Sequence, residues 1–407
     1  MPPFQPIPNE SCGLSSCSGI ILKTIVKKGD AMGTHGLRST LQVPGLILFG
    51  SGTVHELGKR ARAFGKRALL VQGGSSLERS GILEQIISVL QDEGIGLHQL
   101  SGVTHDPDEQ QVMGFVGRAR EIGPDVIIGI GGGSVIDTAK AVSIIATNGG
   151  TVRDYWQGRA FTQPSIHYIA VPTTSGTGAE ITKNAVITSR DHTFKKSIRS
   201  ELMIPKIALV DPLLTMSMPP QVTAQTGLDA LVQNLEAYTS KNAGPITDTL
   251  AHKGIELAGE YLIRAWQDGS DEEAREALSL ASLYGGITLA NAGLGLAHGL
   301  AHPLGIGYDI AHGQACAITM PRVIELNYPA RREKYDEVAR LLKSSGTASS
   351  AFEELLGKLG ISTKLGSYGV KEDDIPSIVR DSRGGSRGYN PIDHSDETVA
   401  VMLREML

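Results

Sequence analysis

Three histidines, His298, His302 and His312, sit close together in the stretch Gly295-Leu-Ala-His-Gly-Leu-Ala-His-Pro-Leu-Gly-Ile-Gly-Tyr-Asp-Ile-Ala-His-Gly313. Imidazole both ligates transition metals and exchanges protons near neutral pH, so the cluster suggests a metal or proton-transfer site. Leu294 to His302 reads as helical, which puts His298 and His302, four positions apart, on one face. A Pro-Gly turn expected at Pro303 to Gly305 would then let His312 come back toward them. The plainer alternative is three satisfied histidines on a helical hairpin.

Other segments have the make-up of nucleotide loops. In Gly129-Ile-Gly-Gly-Gly-Ser-Val-Ile-Asp-Thr-Ala-Lys140 an apolar strand runs into Gly131, Gly132 and Gly133, and a helix is expected to begin at Ser134. Glycines let a pyrophosphate approach the backbone, and the helix start offers unpaired N–H groups and a positive dipole end. Asp137 is placed to orient this loop. The pattern is not a strict G-x-G-x-x-G, because Ser134 stands at the third glycine; a tight turn with a serine cap is the alternative. Pro172-Thr-Thr-Ser-Gly-Thr-Gly-Ala-Glu180 also follows a strand, and Thr173, Thr174 and Thr177 suit phosphate and ribose oxygens, unless they only cap local backbone. After the strand Ala68 to Val71 come Gln72, Gly73, Gly74 and Ser75. No acidic residue is present there to accept ribose hydroxyls and repel a 2′-phosphate, so NADP is expected to be accepted beside NAD, with Arg79 nearby. In the basic run Lys195, Lys196 and Arg199, Lys195 is a candidate for an anionic group of cofactor or substrate; a solvated charged face is the alternative.

The elements that must position these residues fall into two blocks. Strands are expected at 46–49, 67–71, 96–100, 126–130, 166–171 and 207–210, alternating with helices at 54–64, 82–93, 110–122 and 134–146. That alternation implies a parallel sheet. After Asp211-Pro212 strand signals nearly vanish and helices follow at 221–240, 247–268, 271–292, 331–343, 351–357 and 396–406. The expected division is therefore an N-terminal extension over 1–39, Pro/Ser/Gly-rich at its start and poorly ordered, an α/β dinucleotide-binding domain over 40–214 with a parallel sheet, and an all-α domain over 215–407. A ligand site between the last two is the default for such a layout. Tyr155, Trp156, Tyr284 and Tyr308 are candidate lining residues, and the loop-like tail 380–391 either reaches the cleft or links to the last helix.

Composition excludes several classes. The 407 residues carry a net charge of −5, which gives no electrostatic footprint for nucleic acid. No run of eighteen or more apolar residues exists, so no membrane span is expected. Three cysteines (Cys12, Cys17, Cys316) make no disulfide framework, and a reducing, cytoplasmic setting is the simpler reading. The head of the chain lacks the basic start and apolar core of a signal peptide, and Met32 is an alternative start.

Taken together, Gly131 to Lys140, Pro172 to Glu180, Pro205 to Pro212, Thr226-Gly-Leu-Asp-Ala-Leu231 and His298 to His312 resemble the iron-containing (group III) alcohol dehydrogenases over roughly residues 44 to 325. The resemblance implies a dehydroquinate synthase-like architecture, usually dimeric or larger, and a hydride exchanged between NAD or NADP and a small alcohol, aldehyde or ketone. It implies a divalent metal, Fe or Zn, held by Asp229, position 233, His298 and His312, with His302 beside the nicotinamide and passing a proton to solvent. Position 233 is Gln where the family has His; an amide oxygen ligates more weakly than imidazole and suits harder cations. His105-Asp-Pro-Asp108 also departs from the family's Pro-Asn-Pro type turn. Two other readings stay open: a metal-free reductase of an oxo-acid, similar to maleylacetate reductases, and a nucleotide-binding relative without catalysis.

Overall fold

The computed structural model describes residues 40–191 and 193–407, and residues 42–407 form one compact unit. The expectations about 1–39, Cys12, Cys17 and Met32 lie outside the described residues.

Six strands make one parallel sheet, ordered β1 (Leu46–Phe49), β8 (Ile207–Val210), β5 (His167–Pro172), β4 (Val126–Gly131), β2 (Arg67–Gln72) and β3 (Gly96–Leu100). The central strands are near-continuous apolar runs because both faces are covered. Alternate residues serve opposite faces: Leu69, Val71, Ile127 and Ala170 pack with Val112 and Val116 of α4 (Glu109–Ile122) and Ile136 and Ala139 of α5 (Gly133–Asn148). Leu70, Ile128, Ile130 and Val171 pack with Leu57 of α1 (Leu57–Arg62) and Ile86 and Leu90 of α3 (Ile82–Asp92), which follows the short α2 (Ser76–Arg79). Register pairs Gln72 with Ile130 and Gly131 with Pro172. The three loops singled out in the sequence therefore leave the sheet side by side at its carboxyl edge.

Beyond Val210 the described residues form helices: α7 (Pro220–Thr239), α8 (Pro245–Gln267), α9 (Glu272–Ala292), α10 (Leu296–Tyr308), α11 (His312–Asn327), α12 (Arg332–Leu341), α13 (Ala348–Lys358), α14 (Ile375–Asp381) and α15 (Asp396–Glu405), joined by turns and short 3-10 segments. Helix α7 is buried nearly all round, as expected for a helix at the centre of a domain. No single described helix is long and apolar enough to cross a membrane.

Two local readings need correction. The turn expected at Pro303 to Gly305 is absent: α10 runs through Pro303 to Tyr308, and the chain reverses at Asp309 (φ 54°) before α11 begins at His312. Proline removes one N–H donor, but Leu300, Ala301 and Leu304 on either side are buried in the helical core and hold the helix together. A two-stranded antiparallel hairpin, β6 (Asn184–Thr188) and β7 (Lys195–Arg199), went unread: β6 carries a short apolar run, but its partner β7 has a single apolar residue. Tertiary partners hold it. Val186 N–H donates to Asp137 Oδ2, Lys140 Nζ donates to the Asn184 carbonyl, and Trp156 Nε1, in α6 (Val152–Trp156), donates to the Lys196 carbonyl.

Candidate metal and coenzyme site

Helices α7, α10 and α11 each bring polar groups to one point. Asp229, His298, His312 and Cys316 each offer one ligand atom, and the four atoms lie within 4.8 Å of one another. Asp229 Oδ1 is 3.4 Å from His298 Nε2 and 3.9 Å from His312 Nε2. Asp229 and His298 are almost fully buried, whereas His312 is half-exposed. Asp229 Oδ1 and His298 Nε2 face each other buried without any hydrogen-bond partner; Gln233 Oε1 is also buried and unpartnered, but it faces Gly285 of α9. Converging lone pairs with nothing between them are what a divalent cation satisfies, so the donor set fits a metal. Burial opposes the charge on Asp229, but the facing His298 and His312 rings and the Gln233 amide hold its carboxyl below the usual carboxylate range.

Glu236 is the residue that motif reading missed. It lies seven positions after Asp229, on the same face of α7, and that spacing was the available signal. Its buried carboxylate sits 2.6 Å from His298 Nδ1 and accepts backbone N–H bonds from Gly295 and Ala297. One side chain thus anchors the start of α10 and fixes the His298 ring, leaving Nε2 as the lone pair facing Asp229. Close approach of α11 to α7 depends on Gly313: a Cβ there would lie 2.0 Å from the Gln225 carbonyl oxygen and 2.7 Å from Asp229 Cβ.

A cavity of about 260 Å³ opens beside this cluster, lined by His105, Asp106 and Lys195 from the α/β half and by His302, Asp309 and His312 from the helical half. The His302 and His298 rings are each centred 5.5 Å from that of His312, so the three imidazoles do converge. Burial, then the His312, His298 and Lys195 charges, push His302 down to about 3. Lys195 Nζ pairs with Asp106 at 2.7 Å. Tyr155 and Trp156 do not line the cavity; both are buried in the α/β core, Tyr155 donating to the Gly149 carbonyl. The tail 380–391 packs on the helical half, where Asn390 Oδ1 accepts from Leu296 N–H.

At the sheet edge the two glycine- and hydroxyl-bearing loops touch. Thr173 N–H donates to the Gly131 carbonyl, and the side chains of Thr174 and Thr177 fill the space beside Gly132 and Gly133. Helix α5 begins at Gly133, with Gly132 at its cap, so Ser134 is not the cap; its hydroxyl donates to the His105 carbonyl, tying two loops together. Asp137 faces Val186 and Lys140 instead of the glycine loop. Arg79 donates to Ser75 Oγ in the loop after β2, beyond Gly73 and Gly74. Gln233 Nε2 donates to the Gly176 carbonyl at 3.1 Å, linking the ligand helix to the hydroxyl-rich loop.

Comparison with known proteins matches this layout. The family profile described as iron-containing alcohol dehydrogenase covers residues 44–212, and its C-terminal counterpart covers 223–407. The chain belongs to the iron-containing alcohol dehydrogenase family. Among relatives, it is 33% identical over 350 residues to an NAD-dependent methanol dehydrogenase of Bacillus methanolicus (84% of this chain, 92% of that one). It is 35% identical over 355 residues to an NADPH-dependent butanol dehydrogenase of Clostridium saccharobutylicum (84% and 89%). The crystal structure of a 1,3-propanediol oxidoreductase superposes with a TM-score of 0.86 at 33% identity, covering 91% of this chain and 100% of that one. The fold is that of the iron-containing alcohol dehydrogenases, a parallel α/β half followed by a helical half, and the protein is an oxidoreductase of that family carrying a candidate metal site at Asp229, His298 and His312.

Proposed function

We propose that this enzyme interconverts a small alcohol and its aldehyde or ketone by hydride exchange with NAD(P), assisted by a divalent metal. The observation that carries the reading is the convergence of unpartnered Asp229 Oδ1 and His298 Nε2 next to a cavity that His105, Asp106 and Lys195 of the α/β half also line. Asp229, His298 and His312 would hold the ion; when bound, it supplies Lewis acidity toward a substrate oxygen. Gly131 to Ser134, at the start of α5, offer backbone N–H groups to the pyrophosphate, and Thr173, Thr174 and Thr177 line its path. Asp137 supports that site indirectly, by fixing the hairpin that delivers Lys195 to the cavity. His302, kept neutral at physiological pH, has one N–H and one lone pair, which suits handing a proton from the substrate oxygen toward the cavity mouth without storing it.

Gly73, Gly74 and Ser75, with Arg79 beside them and no carboxylate among residues 72–76, support NADP as an accepted coenzyme. The relatives named above include one of each dependence. A neutral substrate is favoured over an oxo-acid, because the Lys195 charge is already met by Asp106. A cytoplasmic homo-oligomer is the expected working form. The test is an assay of aldehydes with NADH and NADPH after chelation and after readdition of Zn²⁺ or Fe²⁺. Activity should fall on chelation and return with metal; full activity without metal removes the Lewis-acid role. A kcat/KM at least as high for NADPH as for NADH is expected, and a strong NADH preference refutes the coenzyme assignment.

A further inference from the structure

We propose that Cys316, and not Gln233, is the fourth metal ligand, so that the site is an Asp-His-His-Cys set built for Zn²⁺. This rests on the metal-assisted reading above. Where the family pattern puts its Asp and second ligand four apart on α7, this chain has Gln at the second position. On the facing helix α11 it has a thiol four residues after His312, on the same face. Cys316 is fully buried, and its Sγ lies 3.9 Å from His312 Nε2.

The distances suit four ligands around one ion. Bonds of about 2.0 Å to nitrogen or oxygen and about 2.3 Å to sulfur place tetrahedral donors of this set roughly 3.3–3.5 Å apart. The separations are 3.4 Å for Asp229 to His298, 3.9 Å for Asp229 to His312 and 3.9 Å for His312 to Cys316, and all four atoms fall within 4.8 Å of one another. Closing the shell draws the 3.9 Å pairs in by about half an ångström and the widest pair by about 1 Å.

Gln233 is the rival, since its Oε1 is also buried and unpartnered. Its Nε2, however, is committed to the Gly176 carbonyl, and Oε1 faces α9 at Gly285, 3.2 Å from where a Cβ would stand. Turning the amide over would set its oxygen against the Gly176 carbonyl, two acceptors with no proton between them. The amide thus works as a strut between α7 and the loop of Gly176. A thiolate in place of imidazole favours Zn²⁺ over harder ions.

The test uses the full chain carrying Cys12→Ser and Cys17→Ser, which leaves Cys316 as the only thiol. Titrated with Co²⁺, it should develop ligand-field bands and, in step with them, a near-ultraviolet sulfur-to-cobalt charge-transfer band. Adding Cys316→Ser should abolish the charge-transfer band and weaken Co²⁺ binding by about 10–100-fold or more. Ligand-field bands without the sulfur band overturn the Cys316 assignment and leave the metal reading standing; no binding of Co²⁺ or Zn²⁺ overturns both. Should the Cys316→Ser protein fail to fold, zinc-edge X-ray absorption on the Zn²⁺-loaded two-serine protein decides the matter. A sulfur at about 2.3 Å supports the assignment, and a shell of nitrogen and oxygen alone refutes it.

Discussion

The carboxyl edge of the sheet and the cluster between α7, α10 and α11 are built on opposite principles. At the sheet edge the working groups are backbone amides and the absence of side chains: Gly131, Gly132 and Gly133 leave space, and Thr174 and Thr177 of the adjacent loop occupy it. At the cluster the working groups are side chains from three helices, each held by its own support, as Glu236 holds His298. A backbone-built site tolerates side-chain deletion and suffers from side-chain addition; a side-chain-built site does the reverse. The chain departs from the strict dinucleotide-loop pattern at Ser134 and from the family pattern at Gln233, but only the second changes which atoms are offered to a ligand.

Substitutions can break this contrast. The largest effect is expected at His298→Ala, which removes a ligand and leaves the Glu236 carboxylate without its ring partner. Turnover should drop by about 1000-fold or more, with loss of bound metal by elemental analysis; normal turnover would dissolve the site. Next comes a pH effect at the base of the hydroxyl-rich loop. Burial pushes Glu180 from its ordinary 4.5 up to about 7. Over that window the folded protein keeps a proton that the unfolded chain releases, so stability should fall as pH rises, by about 3 kcal/mol at most. Denaturant unfolding at several pH values should show the slope, and Glu180→Gln should flatten it between about 4.5 and 7.

Smaller effects sharpen the contrast. Glu236→Gln keeps one acceptor oxygen, enough for only one of the Gly295 and Ala297 amides, and loses the charge behind His298, so metal affinity should weaken by about 10–100-fold; an unchanged Zn²⁺ affinity by competition titration would show that the ring needs no such support. Ser134→Ala is expected to do least. It removes the hydroxyl bond to the His105 carbonyl but no backbone amide, and KM for the coenzyme should rise by less than about 10-fold. A larger loss would mean that this edge, too, works through side chains.

Legibility followed the range of the interactions. The central sheet strands were readable because buried parallel strands write themselves as apolar runs, the exposed edge strand Gly96–Leu100 only weakly, and the loops because glycines and hydroxyls follow those runs directly. The hairpin Asn184–Arg199 was not, since its order comes from Asp137, Lys140 and Trp156, far off in sequence. Spacing brought out His298 and His312, and the family resemblance Asp229, yet the course of α10 through Pro303 was missed because a local rule for proline competes there with burial of Leu300 and Leu304. Asp137 and Ser134 were picked out as coenzyme groups, but their contacts are with Val186 and His105, which no local pattern announces.

The order of apolar runs, glycines and helical segments along the chain by itself determined an α/β half followed by a helical half, because strand and helix periodicities are local properties. Only the tertiary structure decided which polar side chains of α7 and α11 face one another, and therefore that Cys316 stands with Asp229 while Gln233 binds Gly176. Helix phase alone gives a face, but the partner of that face is set by how closely two helices approach, here through the missing side chain of Gly313.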